Sequence, residues 1–125
     1  MQILLVDDDS LASEMIAAVL EDAGHQVFQA ENALDAMELL NQHPIIELIV
    51  SDLNMPLMSG LELFRELKGQ GLNLPFILLS GESPETLKAQ EPSIDACVMK
   101  DFNMDVSLPV AIRTVMEQRH LTSGN

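Results

Sequence analysis

Short apolar runs alternate along the chain with longer stretches in which apolar residues recur every three or four positions. Ile3 to Val6, Ile46 to Ser51, Pro75 to Leu79 and Ala96 to Met99 predict strands, the second of them buried on both faces. His25 to Ala30 is more polar and predicts an edge strand. Between the strands the spacing predicts helices. Ser10 can cap one that carries Leu11, Met15, Ala18 and Val19 on one face, with Gly24 as its left-handed stop. Asn32 can cap a second, bearing Ala33, Ala36, Met37 and Leu40 and ended by His43-Pro44. Pro56 and Ser59-Gly60 punctuate the loop DLNMPLMSG before a third helix with Leu61, Phe64 and Leu67. Pro84 and Pro92 leave room for about two turns of a fourth. The last helix is expected to be capped near Ser107, to hold Pro109 in its first turn, and to run to about Leu121 through Leu108, Ile112 and Val115.

Strands separated by helices in this way predict an α/β domain, a three-layer doubly wound sheet with right-handed crossovers whose binding edge is the one where the strands end. The 125 residues, 47% of them hydrophobic, fit one domain with an ample core and leave no room for a second. Charge narrows the partners: 20 Asp and Glu stand against 6 Lys and Arg, a formal charge of −14. Phosphate backbones are bound by clustered cations, whereas Arg65, Lys68, Lys88, Lys100, Arg113 and Arg119 are scattered in sequence, so direct nucleic-acid binding is not expected and a protein or metal partner is. The single cysteine, Cys97, excludes an intramolecular disulfide and a four-cysteine zinc site and suits a reducing cytosol. No apolar stretch approaches roughly 18 residues and no signal-peptide pattern opens the chain, so a cytoplasmic protein without membrane insertion is expected.

The candidate chemistry lies at the carboxyl ends of the strands. The first delivers Asp7, Asp8 and Asp9, the third Asp52, the fourth Ser80 and the fifth Lys100. Crowded carboxylates repel one another unless a cation sits among them. An all-oxygen donor set without His or Cys favours a hard ion, and two or three carboxylates with water suit Mg2+ better than a many-ligand calcium cage. A carboxylate can also attack a phosphoryl group, while a lysine ammonium and a serine hydroxyl stabilise the transferring oxygens. The set therefore reads as a phosphoryl-acceptor site. Within the acidic triplet, register favours Asp7 and Asp8 for the metal, and Asp9 is expected to be exposed near the helix start.

At these residues the chain resembles the receiver domains of two-component response regulators over essentially its whole length, about residues 2–121 as core. The acidic pair falls on Asp7 and Asp8, and the phosphoacceptor on Asp52 within LIVSDLNMPLMSGLEL, close to the family pattern through Met55-Pro56 and Gly60. The family's Thr/Ser falls on Ser80 and its lysine on Lys100. The resemblance implies a flavodoxin-like sheet of order 2-1-3-4-5 with five helices, the fourth short or irregular here. It implies Mg2+ bound by Asp7, Asp8, Asp52 and the backbone carbonyl of Asn54, and a phosphoryl group taken from a sensor histidine kinase or phosphotransfer protein. It further implies self-catalysed phosphotransfer and dephosphorylation, and a changed affinity for a downstream protein effector through the surface of the fourth helix, fifth strand and fifth helix.

Three departures fall on that output face. Cys97 stands where the family usually has Tyr or Phe, and Lys100-Asp101 where it has Lys-Pro, commonly with a cis peptide; the fourth helix is also short. A cis bond before a non-proline residue costs roughly 3 kcal/mol, so a trans rearrangement or a strained turn is expected at Asp101. Cys97 is read as a small core residue rather than a redox sensor, and His25, His43 and His120 lack metal-ligand spacing. Met104, Met116 and Val110 are candidates for an apolar partner patch.

Two other functions fit parts of the pattern. A degenerate receiver, acting as a phosphorylation-independent protein-binding module, fits the altered output face. A haloacid-dehalogenase-type phosphatase fits ILLVDDDSL, with Asp7 as nucleophile and Asp9 as general acid, but needs a further acidic motif after Lys100 and leaves Asp52 without a role.

Overall fold

The structure, a computed structural model, describes residues 1–81 and 83–123. Its elements are β1 (Gln2–Val6), α1 (Ser10–Asp22), β2 (Gln26–Ala30), α2 (Ala33–Gln42), β3 (Leu48–Asp52), α3 (Gly60–Gly69), β4 (Phe76–Ser80), α4 (Pro84–Gln90), β5 (Ala96–Met99) and α5 (Met104–Ser123). The strands pair in parallel in the order β2-β1-β3-β4-β5, as expected. Parallel strands need crossovers, and alternate side chains on each strand meet the helices of opposite layers. Leu4, Val6, Ile49, Phe76 and Leu78 pack with α2, α3 and Leu87 of α4. Ile3, Leu5, Val50, Ile77 and Leu79 pack with α1 and α5. β2 and β5 are the edges.

Local chemistry sets the helix boundaries. The Asn32 side chain accepts from Asp35 N–H to start α2. Ser59 starts α3 with a reciprocal capping box, its hydroxyl accepting from Glu62 N–H and the Glu62 carboxylate accepting from Ser59 N–H. α4 is seven residues long, the short helix that Pro84 and Pro92 predict.

Two helices differ from expectation. α1 is capped by Asp9, whose carboxylate accepts from Leu11 and Ala12 N–H, rather than by Ser10. It buries Ser13, Ile16, Ala17 and Leu20, leaving Leu11 (67%) and Met15 (64%) exposed. The stripe Leu11, Met15, Ala18, Val19 is as apolar as the stripe that packs, so periodicity alone cannot choose between them. Ser13 enters the buried face because its hydroxyl donates to Gln29 Oε1 at 2.8 Å.

α5 begins at Met104, three residues before Ser107, and Pro109 lies inside it rather than in its first turn. The Asp101 carboxylate accepts from Asn103 N–H at 2.9 Å, and the Asn103 carbonyl accepts from Val106 and Ser107 N–H, so the helix is already wound when Ser107 is reached. Among the described residues no peptide bond is cis. The Lys100-Asp101 step is therefore the trans rearrangement, with the aspartate serving the turn.

Candidate functional site

Strand register builds the site. Val6 pairs with Ser51, so Asp7 follows β1 at the level of Asp52, the last residue of β3. Asp52 pairs with Leu79, which puts Ser80 one step further along β4, and Ser80 pairs with Met99, which puts Lys100 just beyond β5. The backbone continues the ladder past the strand ends: Leu53 N–H donates to the Leu79 carbonyl and Lys100 N–H to that of Ser80, each at 2.8 Å. Asp7, Asp8, Asp52, Ser80 and Lys100 thus share one edge of the sheet.

The side chains converge. Asp7 is 1% exposed and Asp52 8%, while Asp8 is exposed. One carboxylate oxygen from each of the three lies within 4.8 Å of the others. Lys100 Nζ donates to Asp7 Oδ2 at 3.2 Å and stands 3.4 Å from Asp52 Oδ1. Asp7 Oδ1 accepts from Asp9 N–H at 2.9 Å, which holds the triplet's turn against the buried carboxylate. Ser80 is buried at the end of β4, and Asn54 is exposed in the loop after β3.

The electrostatics follow from this crowding. Burial above all pushes the Asp52 carboxyl above its usual value; Lys100 pulls it back, and Asp7 and Asp8 push it further up. Burial works against the Lys100 ammonium, yet the Asp52 and Asp7 carboxylates outweigh it and hold the lysine above its ordinary range. A negative pocket is left with one protein cation at its inner side and an exposed carboxylate at its mouth. Three hard oxygen donors in that space fit a divalent cation such as Mg2+.

Two further contributors are less visible in sequence. Ser51 Oγ donates to the Asp52 carbonyl at 3.0 Å, inside the core. Gly60 lies so close to β3 that a Cβ there would run into the same carbonyl and come within 2.7 Å of Leu78 Cδ1. Only glycine lets α3 start this close to Asp52, and the Ser-Gly pair in the sequence is its one signal. Cys97 is half-buried and packs on the α3 and α4 side of the sheet, where burial pushes its thiol up, as suits a core residue rather than a reactive thiolate.

The phosphatase reading loses its second acid here. Asp9 is committed to the cap of α1, and no strand follows β5 among the described residues to carry another acidic motif. No helix among the described residues is long and apolar enough to cross a membrane.

Comparison with known proteins agrees. The response regulator receiver domain family matches residues 3–112. The chain is 32% identical over 126 residues to the transcriptional regulatory protein CpxR homolog of Haemophilus influenzae, covering 99% of this chain and 54% of that protein. It is 30% identical over 111 residues to a chemotaxis protein CheY homolog of Campylobacter jejuni, covering 85% of each. The solved signal receiver domain of a signal transduction histidine kinase from Syntrophus aciditrophicus superposes with a TM-score of 0.81 at 31% identity, over 94% of this chain and 90% of that one. The chain spans about half the length of the first of these relatives and most of the other two. With strand order, acidic pocket and family match in agreement, the chain belongs to the response regulator receiver domain family.

Proposed function

We propose that residues 1–125 form a single receiver unit, with its core at about residues 2–121, that accepts a phosphoryl group on Asp52 from a sensor histidine kinase or phosphotransfer protein. A receiver is a phosphoacceptor rather than an enzyme in the ordinary sense. The observation that carries the reading is the Lys100 ammonium set between the carboxylates of Asp7 and Asp52, with Asp8 completing the acidic pocket. The relatives' names range over transcription, chemotaxis and a histidine kinase, which supports a shared phosphoryl-accepting role with differing outputs.

In this reading an Asp52 carboxylate oxygen attacks phosphorus as the bond from phosphorus to the donor imidazole nitrogen breaks, the nitrogen keeping the electron pair. Lys100 leaves its bridging position to neutralise the incoming phosphoryl oxygens, and the Ser80 hydroxyl donates to one of them. Asp7, Asp8, Asp52 and the Asn54 carbonyl would hold Mg2+, which when bound supplies charge neutralisation for the transferring group. The same residues, with water, would catalyse the slow loss of the group.

The effector surface of this reading is the exposed side of β5 and α5. Met99, Phe102, Val106 and Val110 are all exposed there, Phe102 completely, because Asp101 turns the chain into α5 with Phe102 outside the core. Of the three patch candidates from sequence, Val110 alone belongs to this exposed set; Met104 and Met116 are partly buried on the α1 side. A formal charge of −14 favours a protein effector over nucleic acid.

The test is intact-mass analysis after incubation with Mg2+ and acetyl phosphate. One added phosphoryl group, absent in Asp52→Ala, is expected. No adduct with any donor would replace this reading with the phosphorylation-independent binding module, and an adduct on Asp7 would revive the phosphatase.

A further inference from the structure

Four of the six cations, scattered in sequence, are gathered in the fold. Arg65 and Lys68 of α3, Lys88 of α4 and Arg119 of α5 lie toward the opposite end of the sheet from the acidic pocket, around the entry to β4 and β5. Lys68, Asn73, Lys88, Ser93, Asp95 and Arg119 contribute to the wall of one open pocket of about 320 Å³. That volume is at the small end of the range for small-molecule sites.

The bonding in the wall makes the pocket positive. Arg119 spends its charge on Asp95, donating through Nε and Nη2, and covers the carbonyls of Asn73 and Leu74. Asp95 is further occupied by Phe76 N–H. Lys88 Nζ donates to the Ile94 carbonyl, and Lys68 Nζ donates to Asn73 Oδ1. Among the described residues neither lysine forms an ion pair, although the chain has 20 acids for 6 cations and Arg65, Lys100 and Arg119 are all paired. The acceptors of Asn73, Ile94 and Asp95 are thus already engaged, and two ammonium groups with further N–H donors face a common space.

We propose that this pocket binds a small phosphomonoester, a dianion whose charge matches the two uncompensated lysines. A ligand there would touch α3, α4 and α5 at once, through Lys68, Lys88 and Arg119. Its position separates it from the acidic pocket, so it stands independently of phosphorylation at Asp52.

Amide chemical-shift titration tests the proposal, using inorganic phosphate and methyl phosphate without divalent metal, against chloride at equal ionic strength. Saturable shifts are expected at Lys68, Asn73, Lys88 and Ile94, with binding weakened about tenfold for each lysine changed in Lys68→Gln and Lys88→Gln. Both lysines are exposed, so the fold tolerates the changes, and Arg113→Gln serves as the control for net charge. Phosphate should also raise the unfolding temperature of the native chain but not of the doubly substituted one. Shifts that chloride reproduces, that fail to saturate, or that persist in the double variant would overturn the proposal. So would their loss in Asp52→Asn, which would place the ligand at the acidic pocket.

Discussion

Lys100 offers the most direct probe of the acidic pocket, because in the metal-free protein it is the only cation paired with Asp7 or Asp52 among the described residues. Replacing it with methionine keeps the length of the side chain and removes the charge. Contacts of 3.2 and 3.4 Å correspond to about 5 kcal/mol of attraction each at an effective dielectric constant near 20. Bringing the ammonium out of water costs several kcal/mol. Part of the loss is recovered because Asp52, already inclined to hold its proton, can neutralise instead. Lys100 is also about a quarter exposed, which screens both pairs. A net destabilisation of about 2 kcal/mol results, below the roughly 3–5 kcal/mol that breaking a fully buried ion pair costs, because Lys100 is partly exposed. Thermal unfolding in EDTA should then show a midpoint lowered by about 8 °C for a chain of this length. Saturating Mg2+ should close at least half of the gap, since a divalent cation neutralises the same carboxylates, and Lys100→Met should bind Mg2+ more tightly than the native chain. Equal stability of the two proteins in EDTA, or a gap that Mg2+ leaves untouched, would refute this account of the pocket.

Two further outcomes follow from neighbouring features. Because the folded Asp52 carboxyl lies above its ordinary value of 3.8, the folded state holds more protons than the unfolded one between those two values, and metal-free stability falls as pH rises through that window. Asp52→Asn should therefore be more stable than the native chain at neutral pH in EDTA, the advantage closing below pH 3.8 in denaturant titrations; a constant difference across pH would contradict it. Gly60→Ala drives a methyl group into the Asp52 carbonyl and against Leu78, and should cost about 1–3 kcal/mol in urea unfolding while slowing phosphorylation by acetyl phosphate.

The site was unusually legible because each of its side chains follows an apolar run. In a parallel sheet every strand leaves at the same edge, so polar terminators gather there whatever their separation in sequence: Asp7 and Asp52 meet across adjoining strands, and Lys100 reaches both. The helix surfaces were less legible. α1 carries two apolar stripes, and the one that packs, Ile16, Ala17 and Leu20, includes a serine whose partner Gln29 on β2 no local pattern reveals. The start of α5 was set by Asp101 and Asn103, whereas Ser107 and Pro109 make the stronger local signal.

By itself, then, the sequence determined the alternation of strands and helices and the identity of the groups at the strand ends, since both depend on periodicity and on which residues stop a buried run. Tertiary structure decided how those groups pair, which face of α1 is buried, and where the cations gather. Charges far apart in the chain interact only at distances that the sheet and its helices impose. For that reason the Lys100 bridge and the basic pocket of Lys68 and Lys88 exist only in the folded molecule.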